Sequence, residues 1–123
     1  MKLHPKYLPF VVLLALFSIP LYADLDAGLK AYEQGDHALA FKHYREAAEN
    51  GNPDAFGKLA GMYLYGLGTE TDYSNAYVWF GLAEYSGDKF AEKFKRTAAS
   101  VMTLEQVRQA EEILAEKKAR LEE

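Results

Sequence analysis

His37, His43 and Glu46, in "DHALAFKHYRE", are the first side chains whose types would suit metal binding or proton transfer. The two histidines lie six positions apart. On a helix that is about 600° of rotation, so they do not share a face. His43 and Glu46 form an i,i+3 pair, but zinc sites need three or four convergent ligands, and two polar residues on a helix are the plainer reading. No metal is assigned. In "TETDYSN", Glu70 and Asp72 bring two carboxylates close together in sequence. A calcium loop places oxygen ligands at alternating positions and ends in a bidentate Glu, and that spacing is missing. Asp72 reads instead as a helix N-cap, worth about 1 kcal/mol against Ala. The glycines of "GLGTETD" are not followed by the Lys-Ser/Thr of a phosphate loop. With no cysteine in the chain and no nucleophile, base and orienter in one neighbourhood, no catalytic residue and no cofactor is expected.

What remains is aromatic and small. Tyr63, Tyr65, Tyr73, Tyr77, Trp79, Phe80 and Tyr85 crowd around that glycine loop. Stacking on sugars or peptides is one use of such a set, but Trp79 and Phe80 fall on a helical stripe with Ala76 and Ala83, which makes them core. Gly57 and Gly61 each cost a helix about 1 kcal/mol relative to Ala. Close packing of a neighbouring helix or the floor of a groove would offset that cost, and their spacing admits both.

The elements that must position these residues follow from an internal echo. At an offset of 36, Asp36 falls on Asp72, Ala40 on Ala76, Tyr44 on Phe80, Ala47 on Ala83, Gly51 on Gly87 and Ala55 on Ala91. Aspartates at N-cap positions, Asn52 before Pro53, and glycines just past helix ends punctuate the pattern. Helices are predicted at about 25–34, 37–50, 53–65, 73–86, 89–101 and 104–121. A period in the thirties with two helices per unit indicates an all-α solenoid of antiparallel helix pairs. Units at about 25–52 and 53–88 are followed by a C-terminal capping helix pair over 89–123. "GLGTETD" then joins two antiparallel helices, Gly66 and Gly68 taking positive φ, where the first unit makes do with the shorter "EQGD". Thr103 and Gln106 form a capping box opening the last helix. Phe90, Phe94, Ala98 and Val101 are expected to face inward in the fifth helix. Leu104, Val107, Ala110, Leu114 and Leu121 are expected to do so in the sixth, with "EKKARLEE" fraying into solvent.

Residues 1–23 stand apart. Lys2 and Lys6, an apolar run from Leu8 to Ile19 broken by Pro9, and a small residue at Ala23 have the organisation of a secretory signal peptide. The run is short of the roughly 20 residues a spanning helix needs, so an uncleaved membrane anchor is the weaker reading. Cleavage after Ala23 leaves 12 basic and 18 acidic side chains, a net charge of −6 against −4 for all 123 residues. Such a surface repels phosphate backbones, so no nucleic-acid partner and no stable membrane insertion after cleavage are expected. The location expected is periplasmic or secreted.

Ala55, Leu59, Tyr63, Gly66, Gly68, Asp72, Ala76, Trp79, Ala83 and Gly87 carry a more specific pattern. It resembles the Sel-one-like repeat, a relative of the tetratricopeptide repeat, of the kind found in short secreted bacterial proteins. Ala60 stands where the pattern has Gly, and Lys95 and Arg96 interrupt the next unit. The resemblance implies a short right-handed α-solenoid that binds a peptide or partner helix on its inner face, without turnover. In that register Lys30, Glu33, Asp54, Gly61 and Tyr65 line the inner face. About two units and a cap are fewer than the three repeats such arrays need, so a protein partner or self-association is expected. An enzyme-like periplasmic factor acting on cell-wall compounds and a membrane-anchored structural subunit are the alternatives.

Overall fold

The computed structural model describes residues 20–123. The predicted signal segment therefore lies outside the described residues up to position 19, and Pro20–Ala23 form the first turn of a helix. Among the described residues there are six helices and no strand: α1 (Pro20–Glu33), α2 (His37–Glu49), α3 (Pro53–Tyr65), α4 (Tyr73–Tyr85), α5 (Ala91–Ala99) and α6 (Leu104–Leu121). The predicted all-α solenoid is present. Its helices fall within two residues of the expected bounds except at the start of α1, which begins five residues early, at Pro20.

The offset of 36 survives as bonding geometry. Asn52 N–H donates to the Ala47 carbonyl at 3.0 Å, and Asp88 N–H donates to the Ala83 carbonyl at 2.9 Å. Each is the six-residue return that closes a helix around a left-handed glycine, here Gly51 (φ 87°) and Gly87 (φ 100°). The next step repeats too: Asn52 Oδ1 accepts from Asp54 N–H at 3.1 Å, and Asp88 Oδ1 accepts from Phe90 N–H at 2.9 Å. Asp36 accepts from Leu39 N–H and Asp72 from Asn75 N–H, the two expected N-caps. The Thr103–Gln106 capping box is formed in both directions.

Aromatic contacts mark the joints between successive helices. Phe41 of α2 meets Tyr63 of α3 edge-on at 5.2 Å, Phe56 of α3 meets Trp79 of α4 at 5.7 Å, and Phe80 of α4 stacks on Phe94 of α5 at 5.4 Å. These separations fall in the favourable range for ring pairs. Between α1 and α2, a Cβ added to Gly28 would lie 2.6 Å from the Tyr44 ring, so only Gly lets the two helices close to this distance.

Helix α4 is the centre. Every residue from Ala76 to Ala83 is buried, which is what a helix looks like when neighbours surround it on all sides. It packs against α3, α5 and α6. The contact with α6 is tight: a Cβ on Gly81 would sit 2.4 Å from Leu114 Cδ2, and Leu114 is itself buried.

The seven-residue loop from Gly66 to Asp72 replaces the three residues that join α1 to α2. Its added length has a use. Gly66 (φ 65°) ends α3 and Gly68 (φ 71°) turns the chain onto α2, where a Cβ on Gly68 would overlap the His37 carbonyl oxygen at 2.1 Å. The loop of the second unit is thus seated on the first.

Two inward faces differ from expectation. In α5 the buried residues are Ala91 and Ala98, with Phe94 partly covered, whereas Phe90 and Val101 are 72% and 58% exposed. The helix starts at Ala91 rather than at residue 89, so Phe90 and Val101 flank its two ends and are left exposed among the described residues. In α6, Ala110 and Leu114 are buried and Val107 partly so, but Leu104 is 92% exposed at the first helical position and Leu121 is exposed near the last. The segment expected to fray is helical to Leu121. Lys117 lies 4.5 Å above the Trp79 ring and Lys118 5.5 Å from that of Tyr85, so cation–π contacts hold this turn down.

Candidate functional site

An apolar hollow of about 350 Å³ opens between α1 and α3 with Tyr44 of α2 behind it. Its walls come from helical spacing. Leu29 and Tyr32 lie three apart on α1, while Gly57, Gly61 and Tyr65 lie four apart on α3 and form one stripe. Met62 and Leu67 complete the apolar lining, and Lys58 is the one charged residue among the described residues that line it. Burial first, then the neighbouring Tyr32 and Glu33, pushes the Tyr44 hydroxyl above its ordinary pKa, so this ring presents a neutral wall.

The two glycines of the stripe have different surroundings. A Cβ on Gly57 would touch Asp88 Oδ2 at 3.1 Å, so that glycine serves packing within the second unit. A Cβ on Gly61 would meet nothing within 4 Å among the described residues. No described neighbour needs Gly61 to be small, although its presence inside a helix costs about 1 kcal/mol. Beside it Tyr65 stands 62% exposed. Of the residues placed on the inner face by resemblance, Gly61 and Tyr65 come together here. Lys30 and Glu33 are exposed on α1 and do not line the hollow, and Asp54 lines a separate polar depression with Pro53, Ser86 and Asp88. Leu29, Tyr32 and Met62 are wall residues that sequence reasoning missed. The i,i+3 spacing of Leu29 and Tyr32, one residue off the expected Lys30 and Glu33, was the available signal.

The other aromatics divide more evenly than expected. Tyr77, Trp79 and Phe80 are buried, while Tyr73 and Tyr85 join Tyr65 at the surface. The Tyr77 hydroxyl donates to the Glu111 carboxylate, bridging α4 and α6. Burial, reinforced by that carboxylate, pushes its pKa up to about 12. Tyr85 donates to Glu122 at 2.5 Å and is committed to the C-terminal turn.

Asp72 is used in capping and Glu70 is exposed. His37 packs edge-on against Tyr32 at 5.1 Å, away from His43 as their spacing requires. His43 is not simply exposed, however: Asp24 of α1 and Glu46 of α2 face its Nδ1 at 3.7 and 4.0 Å.

No family model matches the chain, and no solved structure matches it. It is 41% identical over 51 residues to an uncharacterized Sel1-like repeat-containing protein of Schizosaccharomyces pombe. The matched stretch is 42% of this chain and only 8% of that protein's length. The similarity supports a Sel1-like repeat, the unit to which residues 55–87 point.

Proposed function

We propose that this chain is a non-catalytic protein-interaction module that receives one face of a partner helix or peptide in the hollow between α1 and α3. The observation that carries this reading is the vacancy above Gly61. A helical glycine with open space at its missing Cβ, flanked by an exposed Tyr65 and an apolar wall, makes room for something outside the chain. An amphipathic partner helix suits such a groove, anchoring apolar residues at i, i+3 and i+4 while polar ones reach the rim. Solenoid repeats bind in this way, along the face formed by corresponding helices of successive units.

The short bacterial type, export through residues 1–23 and action in the cell envelope belong to this proposal, and the basic start, apolar run and Ala23 support them. No described helix is long and apolar enough to cross a membrane. A photo-reactive residue placed at Tyr65 or Tyr85 in cells tests the groove. Adducts are expected from position 65 and not from 85, and Gly61→Leu is expected to remove them without loss of helical signal. Equal adducts from both positions, or adducts indifferent to Gly61→Leu, would overturn the reading. Adducts between two copies would assign the groove to self-association.

A further inference from the structure

The cluster formed by Asp24, His43 and Glu46 plays no part in the groove. One ligand atom from each lies within 4.8 Å of the others. His43 Nδ1 faces Asp24 Oδ1 at 3.7 Å and Glu46 Oε2 at 4.0 Å, and these carboxylates come from different helices. That nitrogen is buried, and among the described residues it has no hydrogen-bond partner. An imidazole nitrogen unpartnered among the described residues and facing two carboxylates is an arrangement that a bound cation would complete.

We infer that Asp24, His43 and Glu46 form a binding site for a divalent ion of the zinc class, which would clamp α1 to α2. The donor set fits: one imidazole nitrogen and two carboxylate oxygens are ligands zinc accepts, with three protein ligands leaving a fourth position for water. At bond lengths of about 2.0–2.2 Å, tetrahedral neighbours lie about 3.3–3.6 Å apart. The observed separations exceed that by an amount that side-chain rotation can close. Glu46, at 41% exposure, has the freedom to move, and His43 and Asp24, at 22% and 24%, are already held in place. Sequence reading found the His43–Glu46 pair and stopped at two ligands. The third lies 19 positions before His43, on the other helix.

The location gives the ion a purpose. Among the described residues α1 is the first helix and packs mainly on α2, and the chain has no cysteine with which to staple it. An ion that binds only the folded arrangement raises stability with its free concentration.

Isothermal titration of the full chain with zinc chloride tests the site, with thermal melting at each zinc concentration. One-to-one saturable binding and a rising melting temperature are expected. His43→Gln and Asp24→Asn are each expected to weaken binding at least about tenfold, as loss of one of only three ligands should, while His37→Gln leaves it unchanged. In the unmodified chain, zinc should shift the His43 Nδ1 nitrogen resonance, a readout that needs no variant to fold. Absence of saturable binding, binding that survives either His43→Gln or Asp24→Asn, or a shift at His37 in place of His43 would overturn the inference. The groove reading stands or falls separately, since none of these residues lines it.

Discussion

Gly81 and Gly61 both interrupt the middle of a helix, yet they face opposite circumstances. Gly81 lies on the seam between α4 and α6, where Leu114 fills the space a Cβ would occupy. Gly61 lies on the groove between α1 and α3, where nothing does. The helix-forming penalty is the same at both, about 1 kcal/mol against Ala. At the seam that cost is offset inside the molecule, by two helices packing closer than any larger residue would allow. At the groove no described neighbour offsets it. One region therefore shows what the fold needs, and the other where the proposed partner would have room.

Variants that attack each side should separate cleanly. Leu114→Ala empties the seam and should cost about 2–5 kcal/mol in denaturant unfolding, the range for a fully buried Leu. Gly81→Ala overfills it. Leu114 is buried and cannot swing clear, so a loss of about 1–3 kcal/mol is expected from the same measurement. The seam also predicts a pH response. The Tyr77 phenol has a higher pKa in the folded chain, about 12, than the 10.0 of an unperturbed tyrosine. Its contribution to stability is complete below pH 10 and is lost as pH rises through 12. Ultraviolet titration should show a tyrosine step near pH 12, and Tyr77→Phe should remove that step. On the groove side, Tyr65→Ala should change stability by less than about 0.5 kcal/mol, as for an exposed residue without internal partners. A larger loss would mean that Tyr65 belongs to the core and that the two regions are less distinct than their geometry indicates.

Most of the fold was legible because caps and breakers are local. Asp36, Asp72, Asn52–Pro53 and Thr103–Gln106 mark helix starts by side-chain chemistry that depends on few other residues, and each makes its expected bond. The ends of the array were harder to read. Phe90, Val101 and Leu104 have the hydrophobicity of core residues, but whether they are covered depends on neighbours that local pattern does not specify, and among the described residues they stand exposed. Pattern alone reports what a residue prefers, not whether a partner is present. Of the residues placed on the inner face by the repeat register, Gly61 and Tyr65 line the hollow. Leu29 and Tyr32 line it in place of Lys30 and Glu33, a rotation of one residue about α1. The Asp24–His43–Glu46 cluster required tertiary structure, since nothing in the spacing of Asp24 and His43 marks them as neighbours.

Gly61→Ala is the most direct test of the central claim, measured in one preparation for melting temperature and for cross-linking yield from position 65. The methyl group strikes nothing inside the chain and removes a helical glycine, so stability should rise by up to about 1 kcal/mol while the yield falls. A drop in melting temperature would show that the vacancy is filled from within. An unchanged yield would show that no partner uses it.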